Sequence, residues 1–199
     1  MEPPAARKPG TAAPDMPPEP ADLSELGVFA DSLARLPWFA AVGEELTAGE
    51  RLETLDYLAA LDLAADIAVA RDWRAAEAVT RDPAWATAWW DAEERLRLSL
   101  LGRAQQRWGE HPLMTALTRV TDAATRVTLG AASSAAAREG IADPALARVA
   151  AGAATQAAYH AALARAAGAD EAHPFAVKFR LFAAGRWLLG LVGGVFHVF

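Results

Sequence analysis

Apolar residues recur at helical spacing along most of the chain. Between residues 83 and 108, for example, Trp85, Trp89, Leu96 and Leu100 fall near one face at a period of about 3.6 residues. The pattern predicts helices at residues 23–36, 38–45, 48–71, 73–81, 83–108, 112–138, 144–167 and 174–184. No alternating run is long enough to predict a sheet, and VFHVF at residues 195–199 is the one strand-like piece.

Local start signals support these helices. Proline at the first helical position loses no hydrogen bond, and a preceding Asp or His can cap the free N–H groups. Four such dipeptides occur, namely Asp82-Pro83, His111-Pro112, Asp143-Pro144 and His173-Pro174. Capping boxes are predicted at Asp22 with Glu25 and at Thr47 with Glu50.

The predicted fold is all-α, an antiparallel bundle of four to five long helices with short accessory helices. About a quarter of the residues are alanine, the strongest helix former. Residues 112–167 are rich in Ala, Gly, Ser and Thr, which predicts two closely packed helices. Residues 1–21 are rich in Pro and Ala and are predicted to be a disordered arm. Residues 22–199 are then one helical domain.

Charge and composition narrow the range of partners. The net charge of −6 argues against a nucleic-acid surface, which needs clustered Lys and Arg. The absence of cysteine excludes disulfides, thiolate metal sites and a cysteine nucleophile. The first twenty residues lack the apolar segment of a secretory signal, so the predicted location is cytoplasmic.

Histidine offers one candidate for cofactor or acid–base chemistry. The four histidines include no pair three or four residues apart, and no Glu-x-x-His motif suggests a di-iron bundle. His160 stands beside Tyr159 in an alanine-rich segment. Such an imidazole either ligates haem or acts as a base in a cavity, or it is a partly buried side chain satisfied by a neighbour. No cofactor is assigned.

Asp62 and Asp66 are four residues apart, hence on one face of the predicted helix 48–71. Two carboxylates at this spacing can hold Mg²⁺ and a diphosphate, as they do in helical isoprenoid synthases. Those enzymes need a second acidic motif, and the chain has no other Asp-x-x-x-Asp pair. Pairing with arginines or exposure to water is the competing interpretation, so no metal site is predicted beyond this weak alternative.

The C-terminal segment 173–199 is strongly apolar. Phe175, Phe179 and Phe182 form a stripe on a short helix, and Lys178 and Arg180 are predicted to point to solvent or to an anion. The thirteen uncharged residues from Trp187 to Phe199 are too few to span a membrane, which takes about 20. The segment is predicted to pack on the Trp85/Trp89 face. Docking on a partner and insertion at a membrane surface are the alternatives.

The sequence carries no assembled catalytic set, and three functions remain open. The first is a non-catalytic binding or accessory protein that uses an aromatic surface or cavity for a protein partner, a second copy or a hydrophobic small molecule. The second is an enzyme or cofactor carrier, and the third is a peripheral membrane protein. The candidate binding residues are Trp85, Trp89, Trp90, Tyr159, His160, Phe175, Arg186 and Trp187.

Overall fold

The computed structural model describes residues 23–199, which are mostly helical and include a small three-stranded sheet. The helices are α1 (Ser24–Ser32), α2 (Ala48–Ala60), α3 (Trp73–Thr80), α4 (Ala88–Trp108), α5 (Glu110–Arg138), α6 (Pro144–Ala166) and α7 (Pro174–Ala183), with a short 3₁₀ turn at Leu33–Arg35. The strands are β1 (Asp66–Val69), β2 (Leu188–Val192) and β3 (Val195–Val198). The predicted arm 1–21 and the cap at Asp22 lie outside the described residues.

Three of the predicted helix starts are confirmed. Thr47 and Glu50 form a reciprocal capping box at α2. The carboxylate of Asp143 accepts the N–H of the second residue of α6, and the ring Nδ1 of His173 accepts a backbone N–H at the start of α7. Two starts are wrong, because α5 begins before His111 and the Asp82-Pro83 pair introduces turns, with α4 beginning only at Ala88.

One predicted helix, 38–45, is absent, and another, 48–71, is shorter than predicted. The segment 38–45 is a series of turns, and Phe39 has a φ of +59°. The predicted helix 48–71 ends at Ala60, because Asp62 also has a φ of +59°, which a right-handed helix does not tolerate. The apolar residues that follow form β1. Helix propensity and periodicity thus predicted a helix across residues 66–69, which instead form a strand. The pairing partner of this strand is β3, near the other end of the chain.

The sheet, which the sequence analysis did not predict, joins β1 to the C-terminal hairpin in the order β1-β3-β2. β3 pairs parallel with β1 and antiparallel with β2. Gly193 and Gly194, both with positive φ, make the hairpin turn. Four- and five-residue strands carry too short an alternation to be recognised from sequence. The all-α prediction is therefore corrected to a mostly helical fold with a small sheet.

The small-residue helices α5 and α6 pack along each other. The indole N–H of Trp108 donates to the carbonyl of Ala166 at 2.7 Å, and the hydroxyls of Thr128 and Thr155 lie 3.2 Å apart. Trp108 is the last residue of α4 and stands just before α5, so its contact places the start of α5 near the end of α6. The threonine contact brings the middles of the two helices together, so the pair is antiparallel. The larger bundle of four to five helices stays a prediction.

The C-terminal hairpin is buried against the rest of the fold. Trp73 at the start of α3 lies beneath it, with its ring 5.8 Å from that of Trp187 and 5.3 Å from that of Phe199. Phe196 and Val198 are also buried. Within residues 23–199 no helix has the length and apolar character needed to cross a membrane. The cytoplasmic location stays a prediction.

Candidate functional site

A cleft of about 550 Å³ lies between α4, α6, α7 and the hairpin. Three indoles from the sequence WATAWW, those of Trp85, Trp89 and Trp90, line one side. Trp187 and the leucines that follow it in β2 contribute further apolar surface. The lining is mostly aromatic and aliphatic, and its polar side chains are Thr80, Gln156 and Lys178. This cleft is called the tryptophan cleft below.

The indole wall is fixed by the sheet. The backbone around Trp85 pairs with the outer edge of β2, where the N–H of Ala86 donates to the carbonyl of Leu191 at 2.8 Å. Gly190 has a φ of +138°, and a Cβ there would lie 2.5 Å from Nε1 of Trp85, so glycine is required for the indole to approach. Trp85 contacts Trp89 and Trp90 edge to face, with centroids 6.3 and 5.3 Å away. Trp85 is thus held in place by β2, Gly190 and its two neighbouring indoles.

A stripe of small residues on α6 forms the opposite wall. Val149, Gly152, Ala153 and Gln156 recur at spacings of three and four, which places them on one helix face. A Cβ built on Gly152 would meet no atom within 4 Å. The cleft is thus open partly because Gly152 has no side chain and Ala153 has only a methyl group.

A buried polar network forms the floor of the cleft. The ammonium of Lys178 donates to both carboxylate oxygens of Glu93, at 2.7 and 2.8 Å. The hydroxyl of Tyr57 donates to the same carboxylate and accepts the indole N–H of Trp89. Lys178 is only 1% exposed, and its Nζ lies 5.2 Å from the centre of the Trp89 ring. The network joins α2, α4 and α7 at one point.

The network is electrically neutral overall, because one cation faces one anion. Burial and, secondly, the charge of Glu93 raise the pKa of Tyr57 well above its ordinary value. Tyr57 therefore keeps its proton and acts as a donor to the carboxylate. With two donors from Lys178 and one from Tyr57, the charge of Glu93 is well compensated, which is the condition for tolerating a buried ion pair.

The eight predicted site residues divide into three groups. Trp85, Trp89, Trp90 and Trp187 all line the tryptophan cleft. His160 stacks on Phe175 with ring centroids 4.0 Å apart, and Tyr159 lies beside that pair. These last three residues are not part of the lining. Arg186 is in a separate place described below.

His160 is a buried neutral imidazole. It is 2% exposed, and its Nδ1 has no hydrogen-bond partner in the described part of the protein. Burial lowers the pKa of His160 well below 6.5, and the charges of Lys178 and Arg97 lower it further. The ring packs within the protein interior behind the cleft. Cofactor binding or catalysis by His160 stays a prediction.

Arg186 ties the C-terminal segment to the loop before α2. Its guanidinium forms a bidentate ion pair with Glu50, with N–O distances of 2.8 and 3.0 Å. It also donates to the carbonyls of Ala41, Glu44 and Glu45 at 2.6, 2.7 and 3.0 Å. All five donors of the side chain are thereby engaged with the protein. Arg186 is buried and contacts no residue of the indole wall through these bonds.

The Arg186–Glu50 pair predicts a loss of stability in acid. The hydrogen bonds from Arg186 lower the pKa of Glu50 from 4.5 to about 2. A lowered pKa in the folded state stabilises the protein above the unfolded-state value, and this contribution is lost as the pH falls from about 4.5 to about 2. We expect Glu50→Gln to destabilise the protein by about 2 kcal/mol at pH 6, allowing for partial solvent screening.

Urea unfolding of the parent and of Glu50→Gln at pH 6, 4, 3 and 2 checks this. The difference in unfolding free energy between the two proteins should shrink with each step down in pH. Other carboxylates titrate equally in both proteins and cancel in the difference. A difference that stays constant down to pH 2 would contradict the assignment.

Asp62 and Asp66 do not form the predicted pair. Asp62 lies in the turn after α2, and Asp66 is the first residue of β1, so the two are not on one helix face. Across residues 23–199, no three His, Asp or Glu side chains come together as metal ligands. The predicted placement of this pair on one helix face is therefore wrong.

The sequence analysis missed the polar floor of the cleft. Lys178 was predicted to face solvent or an anion, and it is instead buried between α4 and α7. One signal was available, since Lys178 is the only lysine between residues 23 and 199 and stands among Phe, Val and Leu. Glu93 and Tyr57 carried no such signal, because acidic and aromatic residues are common on their helices.

Comparison with known proteins gives no relative from which a function could be transferred. No family model matches the chain, and no curated protein and no solved structure matches it either. The function has to be argued from the tryptophan cleft itself.

Proposed function

We propose that this protein is a non-catalytic binding protein that holds a hydrophobic small molecule in the tryptophan cleft. The observation that carries the proposal is the cleft's size and lining. Its volume of about 550 Å³ lies within the range of about 300–1,000 Å³ that small-molecule sites occupy. Such sites combine apolar and aromatic walls with few polar groups, and the cleft has this composition.

The contacts that hold the indole wall in place also support binding. The contacts of Trp85 with its two neighbouring indoles and with β2 fix the wall in advance, so a ligand orders few side chains when it binds. We further propose that α4 to α7 act as the predicted antiparallel bundle and serve as the frame that holds the walls apart. An enzyme or cofactor carrier based on His160 is less well supported, because His160 does not line the cleft.

Filling the cleft from α6 should abolish binding without unfolding the protein. Gly152 lines the cleft and has open space where a Cβ would be, so Gly152→Phe places a ring in the cavity. Phe also has a higher helix propensity than Gly. We expect the affinity for 2-ethylnaphthalene, measured by equilibrium dialysis, to fall by about tenfold or more, which corresponds to losing the burial of one or two methylene groups.

Gly130→Phe is the matched control. Gly130 is an exposed helical glycine on α5 that also has no atom within 4 Å of a built Cβ, but it does not line the cleft. Its substitution should leave the affinity unchanged. Equal loss in both variants, or no binding of the naphthalene to the parent protein, would reject the proposed function.

A protein partner or second copy is the second candidate, and one observation favours it. Trp90 and Val149, on opposite sides of the cleft, are 56% and 51% exposed. Exposed aromatic residues beside a pocket are typical of interface hot spots. Sedimentation velocity over a hundredfold range of concentration, with Trp90→Ser as the comparison, tests self-association. A protein that stays monomeric at every concentration would exclude a second copy as the partner.

A further inference from the structure

The donors and acceptors of the polar floor do not balance. An ammonium group has three N–H donors, and two of those of Lys178 go to Glu93. The carboxylate also receives Tyr57, whose oxygen receives Trp89. The strong acceptors of the network are therefore used within it. The third N–H of Lys178 makes no hydrogen bond to an oxygen or nitrogen of the described protein. Nζ lies 5.2 Å from the centre of the Trp89 ring, an interaction weaker than a hydrogen bond to an oxygen acceptor. Lys178 is also the only charged side chain that lines the cleft.

The charge of the network restricts which acceptor can use this donor. The charge of Lys178 is balanced by that of Glu93, so the ion pair as a whole is neutral, although the ammonium still offers an N–H donor. A ligand carboxylate would place a second negative charge beside Glu93 in an apolar cleft, where an uncompensated charge is costly. A neutral oxygen acceptor, such as a carbonyl, carries no such cost.

A cationic ligand is disfavoured for a different reason. Aromatic cages bind cations in a space between rings, whereas Trp85 touches both Trp89 and Trp90 and leaves no such space between them. The face of Trp89 is also already approached by the ammonium of Lys178. The indoles therefore form a continuous wall, which suits a flat apolar body.

We propose that the tryptophan cleft selects a neutral, flat, aromatic or conjugated ligand that carries a carbonyl-type oxygen, which accepts a hydrogen bond from Lys178 Nζ. The ligand's apolar body lies between the indole wall and the α6 stripe. This inference rests on the proposed small-molecule binding function, and it adds the chemical class of the ligand and the residue that recognises it.

Three naphthalenes of similar size separate the possibilities. These are 2-acetylnaphthalene with a neutral carbonyl, 2-ethylnaphthalene without an acceptor, and 2-naphthoate with a charged one. We expect the ketone to bind about tenfold more tightly than the ethyl compound in equilibrium dialysis, because a hydrogen bond from a charged donor contributes about that much. The carboxylate should bind more weakly than the ketone at pH 7.

The double variant Lys178→Met with Glu93→Leu removes the donor without leaving a buried charge. The tenfold ratio between the ketone and the ethyl compound should disappear in this variant. A preference for the ketone that survives in the variant would assign recognition to another group, such as Gln156, and overturn the proposal.

The series also separates this inference from the proposed function. Equal binding of the ketone and the ethyl compound to the parent protein would overturn the ligand class while leaving a hydrophobic binding cleft. Tightest binding of the carboxylate would likewise overturn the neutral class. Failure of all three compounds to bind would overturn both the cleft's function and its selectivity.

Discussion

Lys178→Met lowers the free energy of unfolding by about 3–5 kcal/mol, because it leaves the carboxylate of Glu93 buried without its cation. Glu93 then keeps only the hydroxyl of Tyr57 as a partner. Methionine matches the length of the lysine side chain closely, so little of the loss comes from packing. Urea unfolding followed by circular dichroism at pH 7 measures the effect.

Two further variants isolate the buried charge as the cause. The double variant Lys178→Met with Glu93→Leu removes both charges, and we expect it to be more stable than Lys178→Met alone. Arg180→Met makes the same type of change two residues away on α7. The Arg180–Glu53 pair is partly exposed, with side chains 40% and 36% accessible, so its loss should cost no more than about 1 kcal/mol. Equal costs for Lys178→Met and Arg180→Met would show that the network is hydrated in solution.

Phe199→Ala is expected to cost about 3–5 kcal/mol of unfolding free energy, the usual cost of removing a fully buried phenylalanine ring. The Phe199 side chain is 0% exposed and meets Trp73 edge to face. Its backbone also exchanges hydrogen bonds with Trp187, which closes the hairpin. Removing the ring leaves a cavity between α3 and the sheet that these large, fixed indoles fill poorly.

Val195→Ala provides the comparison within the same hairpin. Val195 is only partly buried, at the start of β3. Its truncation should cost about 1 kcal/mol or less. Thermal unfolding of both variants beside the parent gives the ranking. If Phe199→Ala is no more destabilising than Val195→Ala, the C-terminal segment is not packed in solution as it is in the structure.

Helices were predictable where local signals decide them. The starts of α2, α6 and α7 follow from side chains that cap their own neighbouring N–H groups, which requires nothing from the rest of the fold. The strands were not predictable in this way. The apolar sequence of β1 is equally compatible with a continuation of α2. The segment forms a strand because it pairs with β3. A tertiary partner overrides local propensity there.

The same division applies to the cleft. Trp85, Trp89 and Trp90 stood out as a cluster on one predicted helix, and Trp187 stood out at the start of an uncharged C-terminal run. The structure brings these four to one cavity. The polar floor depends on three helices meeting at Glu93, which no single-helix pattern encodes. His160, a lone histidine in an alanine-rich helix, and Phe175, part of the phenylalanine stripe, instead form an internal stack.

The parallel pairing of β1 with β3 has a consequence for biosynthesis. During translation β1 and the Glu93 carboxylate leave the ribosome well before α7 and β3, which supply their partners. Until then β1 has no strand to pair with, and the Glu93 carboxylate stays hydrated rather than paired with Lys178. α5 and α6 pack mainly against each other, and this pair is complete in sequence before α7 is made. The tryptophan cleft can therefore form only after α7 and β2, which supply Lys178, Trp187 and the leucines of its lining, have been synthesised.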